Sequence, residues 1–354
     1  MQAQSPARGA GLEQPVLWLG LAGFAPAQRQ ALEQTVARAT GLAQWRLCAF
    51  GDADGWWVNG ARCSIVEGER LKVAPGLPTE HTLRLDLKEV SRPLAFAQPI
   101  APENLEALCV FDTELDESVH AALVQFEKWL LPVRNRFVLG ALLLQRESED
   151  RRGTFHLTHR GMLLAVLDFD QGTAAMSPRA RPPDLWEATW ERRPPGAGKP
   201  PKGFASCTIT QLAWGYVRRT DRDMLPPRYR TQTIYYRHVP RVPMRWLRDS
   251  QLMLLRELSA EPGSLQALRR RTSLPAGQVA HDLACLYYAG SVTTTPATAG
   301  FAGGDSINSY GLWSESALRT EARQSSHDLT APALLERRPR SPPDSGITID
   351  PELP

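Results

Sequence analysis

The sequence predicts a mixed α/β protein, with a parallel sheet at its N-terminal end, an α+β middle, and three short helices with a strand towards its C-terminal end. Three observations carry that expectation. Val16–Gly23 (VLWLGLAG) is a continuous apolar run closed by glycine, the pattern of a strand buried on both faces. Short β-prone runs then alternate with helical spacings as far as Val110, as a doubly wound parallel sheet requires. In Asp249–Pro296, leucines recur at helical spacing and prolines and glycines cut the stretch into helix-length pieces.

At 354 residues the chain is long enough for two or three domains, each burying its own core. Apolar content of 42% and charged content of 22% are ordinary for a soluble globular protein. No run of ~18 apolar residues occurs, so no membrane-spanning helix and no membrane partner are expected. The opening MQAQSPARGAGLEQP lacks the charged and apolar regions of a secretory signal. The five cysteines (Cys48, Cys63, Cys109, Cys207 and Cys285) are scattered, with no CxxC spacing. They fit reduced thiols in the cytoplasm and predict neither a disulfide framework nor a zinc site. The net charge of +3 is unevenly spread, because Arg179–Arg248 holds fifteen Lys/Arg against five Asp/Glu. Such a block attracts nucleic acid, a nucleotide or an acidic partner, or it solvates a face while its aliphatic stems cover apolar surface.

Taken in order, residues 1–14 read as a disordered lead-in and 15–112 as an α/β domain. After the strand at Val16–Gly23, Gln28–Thr40 carries Ala31, Leu32, Val36 and Ala39 near helical spacing. Arg46–Phe50, Gly55–Val58, Thr82–Leu87 and Pro93–Phe96 are short and β-prone, and Glu103–Val110 is helical in pattern.

In size and element order this segment resembles the receiver domain of bacterial response regulators. That family uses an acidic pair after the first strand, a phosphoryl-accepting aspartate at the end of the third, and a lysine before a proline after the fifth. Here the first strand runs into Ala22-Gly23-Phe24, WWVNG ends at Asn59, and LAFAQP carries Gln98 before Pro99. An amide cannot form an acyl phosphate, and without the acids Mg²⁺ has no ligands. The resemblance therefore implies a receiver-like doubly wound sheet with Asn59 as a degenerate phosphoacceptor position, closed to switching by phosphorylation.

Residues 113–247 read as a helical connector followed by a basic α+β region. Asp116–Glu149 is helical, with Val119, Leu123, Phe126, Leu130 and Leu131 on one side, and Pro132 divides it because it lacks a backbone N–H. It is expected to act as a connector or as the seam of a homodimer. Thr154–His159 and Met162–Phe169 form a hairpin pattern, and Asp170-Gln171-Gly172 turns into Thr173–Met176. Pro178–Pro183 and Pro194–Pro201 read as linkers, Ser206–Arg218 as a helix, and Arg228–Arg245 as an extended edge.

In 248–296, Leu252, Leu255 and Leu258 are expected on one buried face of a first helix. Pro262-Gly263 ends it, and Ser264 caps a second helix bearing Leu265 and Leu268. Ser273 and Pro275 open a third, with Val279, Leu283 and Leu286 inward, and Gly290 stops it before the β-rich Ser291–Thr295. This is the layout of a winged helix-turn-helix. Residues 297–354 are poor in apolar groups and read as a mostly disordered tail, in which INSYGLW (307–313) is the one aromatic patch.

GAGKPPKG (196–203) lacks the first glycine and the Ser/Thr of a phosphate loop, and its prolines remove backbone donors. His156 and His159, three apart on a strand, point to opposite faces and do not share a metal. No GxSxG, HExxH or paired-carboxylate motif occurs, so a non-enzyme without cofactor is expected. Arg218–Arg222, Arg237–Arg241 and Arg241–Arg245 each read RxxxR, which resembles the opening motif of the PilZ cyclic-di-GMP receptors. That family's D/NxSxxG string is not in the chain. Those arginines nonetheless imply a cyclic dinucleotide or phosphate as a possible ligand. On the three-helix unit, Arg269, Arg270 and Arg271 are the local source of positive charge, and Gln278, His281 and Asp282 are expected outward on the third helix. The reading is a cytoplasmic signalling or transcription-regulating protein that contacts DNA or a protein partner through its winged helix.

Overall fold

The computed structural model describes residues 12–66, 70–102, 107, 109–146, 152–194 and 197–300. The fold is mixed α/β and begins with a parallel sheet. β1 (Val16–Ala22) leads into α1 (Pro26–Arg38), followed by β2 (Gln44–Cys48) and β3 (Gly55–Asn59). Next come β4 (Cys63–Val66), β5 (Arg70–Val73) and β6 (Leu83–Asp86), then β7 (Leu94–Ala97) and β8 (Val110–Phe111). The parallel sheet runs β2-β1-β3-β7-β8, while β4-β5-β6 is a separate antiparallel sheet.

The two faces of the parallel sheet are covered differently. Alternate residues point to opposite sides of a strand. Leu17, Leu19, Leu21, Trp57 and Ala95 face Leu32 and Val36 of α1 and Val119, Leu123 and Phe126 of α2 (Asp116–Trp129). Ala22, Val58, Leu94 and Phe96 face Leu71, Val73 and Leu85 of the antiparallel sheet. The expected double layer of helices is thus corrected, since among the described residues the links from β2 to β3 and from β3 to β7 carry 3-10 turns and strands. Arg70–Val73 alternates exposed and buried, which suits a one-sided sheet and not a helix. The expected helix at Glu103–Val110 lies largely outside the described residues, and its last residue, Val110, begins β8. Gln98 follows the fourth strand of the parallel sheet rather than an edge strand, so it does not match the lysine position of a receiver.

Pro132 divides the next helix as expected: α2 stops at Trp129 and α3 (Leu131–Gln145) begins with the proline in its first turn. α3 is buried from Val133 to Leu143 with only Arg136 half-exposed, so its apolar residues are used within the chain. It packs on the antiparallel sheet β12-β9-β10-β11-β13, built from β9 (Thr154–His159), β10 (Met162–Asp168), β11 (Thr173–Met176), β12 (Thr189–Arg193) and β13 (Ala205–Thr208). Between β11 and β12, α4 (Pro182–Trp186) takes the end of the expected Pro178–Pro183 linker. The helix expected at Ser206–Arg218 starts later, as α5 (Ile209–Val217), because Ser206–Thr208 complete β13. A Cβ on Gly140 of α3 would strike the Leu212 carbonyl, so glycine is what allows α3 and α5 to approach so closely.

The expected extended edge at Arg228–Arg245 contains a short helix, α6 (Arg228–Thr231), before β14 (Tyr235–Tyr236). Then follow α7 (Asp249–Ala260), α8 (Leu265–Thr272), α9 (Ala276–Tyr288) and β15 (Val292–Thr293), with β15 antiparallel to β14. Ser264 caps α8 by accepting the Ala267 N–H at 3.2 Å. The phase of α7 differs from expectation: Leu254, Leu255 and Leu258 are buried, while Leu252 is 36% exposed. A run of four apolar residues, Leu252-Met253-Leu254-Leu255, permits more than one phase, and the buried Gln251, bonded to Asp282, fixes it. One hydrophobic cluster runs from α3 and the second sheet through α5 into α7, α8 and α9.

Candidate functional site

The polar centre of the molecule forms where the end of α5 meets the loop after β2. α5 buries Leu212, Ala213, Trp214, Tyr216 and Val217, and Thr208 and Gln211 cap it reciprocally. Being apolar nearly all round, it lodges between α3 and α9. Its end drives two successive arginines into the parallel-sheet unit. The Arg219 carbonyl accepts the Val16 N–H at 2.9 Å, and the Arg219 guanidinium pairs with Asp54. Asp54 also accepts the Trp18 N–H at 3.0 Å. Both side chains of this pair are over nine-tenths buried.

Arg218 donates to the Asp52 carbonyl at 3.1 Å and lies 5.3 Å from the Trp214 ring centroid, while its Nε has no partner. Burial first, then the neighbouring Arg219 and Arg248 charges, lower its pKa to about 10, which still leaves it charged at neutral pH. Arg248, just before α7, stacks 4.4 Å over Trp18 with its Nε and one Nη lacking partners.

The inner face of α9 closes the cluster from behind. Gln251 donates to the Asp282 carboxylate at 3.2 Å, and the Cys285 sulfur lies 3.8 Å from His281 Nε2. Burial lowers the pKa of His281 and raises that of Asp282. Burial also pushes the thiols of Cys48 and Cys285 up to about 12, which makes them poor nucleophiles.

In front of Arg218 lies a cavity of about 430 Å³. Its walls are the Gly51–Asp54 loop, Lys88–Arg92, the α2–α3 junction with Arg136 and Phe137, and the face of α5 bearing Gln211, Trp214, Gly215 and Arg218, closed by Trp246. Arg92 holds the loop by donating to the Gly51 carbonyl at 2.8 Å and the Ala53 carbonyl at 2.6 Å.

The sequence-expected residues are dispersed about this centre. Arg218 lines the cavity. Arg222 is exposed and pairs at 3.1 Å with Glu13, at the end of the expected lead-in, and Glu13 also accepts from Tyr216 and Thr220. Arg237 and Arg241 are exposed beside β14, their N–H groups bonded to the Ser291 and Ala289 carbonyls. Arg245's side chain lies outside the described ones. Arg218 and Arg222 do not share a helical face, because α5 ends at Val217.

Asn59 is buried at the end of β3, donating to the Gly23 carbonyl at 3.1 Å and accepting from the Ala61 N–H at 3.1 Å. Arg269, Arg270 and Gln278 are exposed. Arg271 is tied down, donating to the Glu261 carbonyl at 3.1 Å and pairing with its carboxylate at 3.4 Å. The expectation that His281 and Asp282 face outward is corrected: His281 is half-buried and Asp282 fully buried. Asp282 shares the inner face of α9 with Val279, Leu283 and Leu286, where Gln251 bonds its Oδ1 while its Oδ2 has no hydrogen-bond partner.

Among the described residues no cluster of three His, Cys, Asp or Glu side chains is placed to hold a metal, and no helix is long and apolar enough to cross a membrane. Comparison of the chain with family models, with curated proteins and with solved structures finds no match. Sequence reasoning missed Asp54, Arg219, Arg248, Trp214 and Trp246. The signal available was WGYVRR (214–219), an apolar helix carrying a glycine and running into two arginines.

Proposed function

We propose that this chain is a non-enzymatic, cytoplasmic regulatory protein whose C-terminal unit, α7 to β15, is a winged helix that binds DNA. The observation that carries the reading is the sorting of charge on that unit. Arg269, Arg270 and Gln278 are exposed on α8 and α9, whereas Asp282, the one acid of α9, is buried, and the exposed acids Asp249 and Glu261 lie outside α8 and α9. Arg237 and Arg241, on the chain beside β14, add positive charge next to β15, which the sequence of the wing itself lacks. A receiver-like origin for the N-terminal unit is supported by its strand order, β2-β1-β3-β7-β8, which follows the 2-1-3-4-5 path of one doubly wound class. With Asn59 at the end of the central strand, that unit takes no phosphoryl group.

A protein partner is the second reading, favoured by Leu252 and Met253, which are exposed side by side on α7. Gel-shift titration of the full chain against random-sequence and selected duplexes tests the choice. DNA binding predicts retardation at low salt and a changed sequence preference in Gln278→Ala. No retardation at low salt, together with a partner lost on Leu252→Glu, establishes the protein reading instead.

A further inference from the structure

Gly215 lies inside α5, two residues before its end, where a glycine is less favourable than alanine. Its role differs from that of Gly140. A Cβ on Gly140 would collide with the backbone of α5, but a Cβ on Gly215 would meet nothing within 4 Å beyond its chain neighbours and the backbone of its own helix. Gly215 does not serve close packing. It borders the 430 Å³ cavity, and a side chain there would project into that space.

The walls of the cavity match one ligand chemistry. Arg218 and Arg219 both border it, and Arg219 is matched by Asp54. Arg218 is half-buried, has only a neutral carbonyl as hydrogen-bond partner and keeps a buried Nε without one, an incomplete environment that an anion completes. Trp214 is 3% exposed, stacks on Trp246 at 5.7 Å and 22°, and neither indole N–H has an acceptor. A lone phosphate would satisfy the arginine but leave most of the volume and its apolar wall unfilled. The volume lies within the ~300–1,000 Å³ range of small-molecule sites, and the mixture of cation, indole and apolar wall fits a phosphate joined to a planar ring.

We propose that the cavity binds a mononucleotide-class ligand, its phosphate against Arg218 and its ring on the side of Trp246. Gly215 keeps the space open, and Arg92 holds the facing Gly51–Asp54 loop in place. This site is separate from the surface of α8 and α9 and stands whether or not that surface binds DNA.

Equilibrium dialysis and thermal melts of the full chain with adenosine and guanosine monophosphates, the two nucleosides and inorganic phosphate test it. The expected result is saturable binding of at least one mononucleotide, with a melting midpoint that rises with its concentration. Nucleoside or phosphate alone should bind ~tenfold or more weakly, since each lacks half of the contacts. Gly215→Leu should fold with an unchanged or higher midpoint and lose binding, and Arg218→Lys should weaken the nucleotide far more than the nucleoside. Because a Cβ at position 215 enters open space, Gly215→Leu remains informative should Arg218→Lys fold poorly. Failure of both mononucleotides to bind at millimolar concentration overturns the proposal, as does binding that survives Gly215→Leu. Equal affinity for inorganic phosphate and mononucleotide would make this a simple anion site and overturn it as well.

Discussion

Arginine plays opposite parts in two regions of this molecule. At the junction of the parallel sheet with α5 and α7, Arg218, Arg219 and Arg248 are drawn among tryptophans and held by few, specific partners. On the C-terminal unit, Arg269, Arg270, Arg237 and Arg241 stand in solvent. The basic block of the sequence is therefore not one surface. A buried guanidinium must be matched where it sits, so its removal disturbs the fold. An exposed one costs the fold almost nothing and stays available to a polyanion.

The largest expected effect breaks the buried set. Asp54→Ala leaves Arg219 charged and unmatched and should cost ~3–5 kcal/mol in urea unfolding. Asp221→Ala, which removes the surface pair with Arg46 at 2.7 Å, should cost under ~1 kcal/mol. Equal costs would erase the distinction between the regions.

A smaller effect comes from the histidine behind the junction. Burial, reinforced by the Arg248 and Arg218 charges, lowers the His281 pKa, so the folded chain holds the ring neutral where the unfolded chain has begun to protonate it. The unfolded state then binds more protons, and stability falls as the pH drops through ~6.5 towards the lower folded value. Asp282, shifted upward, contributes with the opposite sign, so the comparison is made against a variant. The melting midpoint of His281→Gln should fall less between pH 7.5 and pH 5 than that of the wild type. An equal fall in the two proteins would mean that the ring keeps its unfolded pKa in the fold, and a steeper fall in the variant that the fold raises it.

The smallest effect is expected at the exposed set. Arg269→Ala with Arg270→Ala should move stability by no more than ~0.5 kcal/mol. A larger loss in a melt would mean that these side chains carry packing.

The same contrast governs what could be read from the chain. β1 and the break at Pro132 were legible because an uninterrupted apolar run and a missing N–H each force one local outcome. The inner face of α9 and its stop at Gly290 were legible from Val279, Leu283, Leu286 and the glycine, whereas Ser273 ends α8 in a left-handed turn instead of opening α9. The burial of Asp282 was not legible, since its partner Gln251 lies 31 residues away. The hairpin β4–β5 escaped because Ser64, Ile65 and Val66 are exposed and only alternate residues of Arg70–Val73 are buried, leaving too little apolar sequence to stand out. The cavity was invisible for a related reason: its walls come from five separate stretches that only the packing of α5 against the parallel sheet brings together.

The most direct test of the division of labour is the salt dependence of DNA binding, read by fluorescence anisotropy on a labelled duplex for the wild type and the Arg269→Ala, Arg270→Ala double variant. Each lost phosphate contact releases fewer counterions, so the variant should bind all sequences more weakly and its logarithmic salt slope should flatten by about two, with an unchanged melt. Wild-type protein that fails to bind at ~50 mM salt, or a variant with an unaltered slope, would contradict the account.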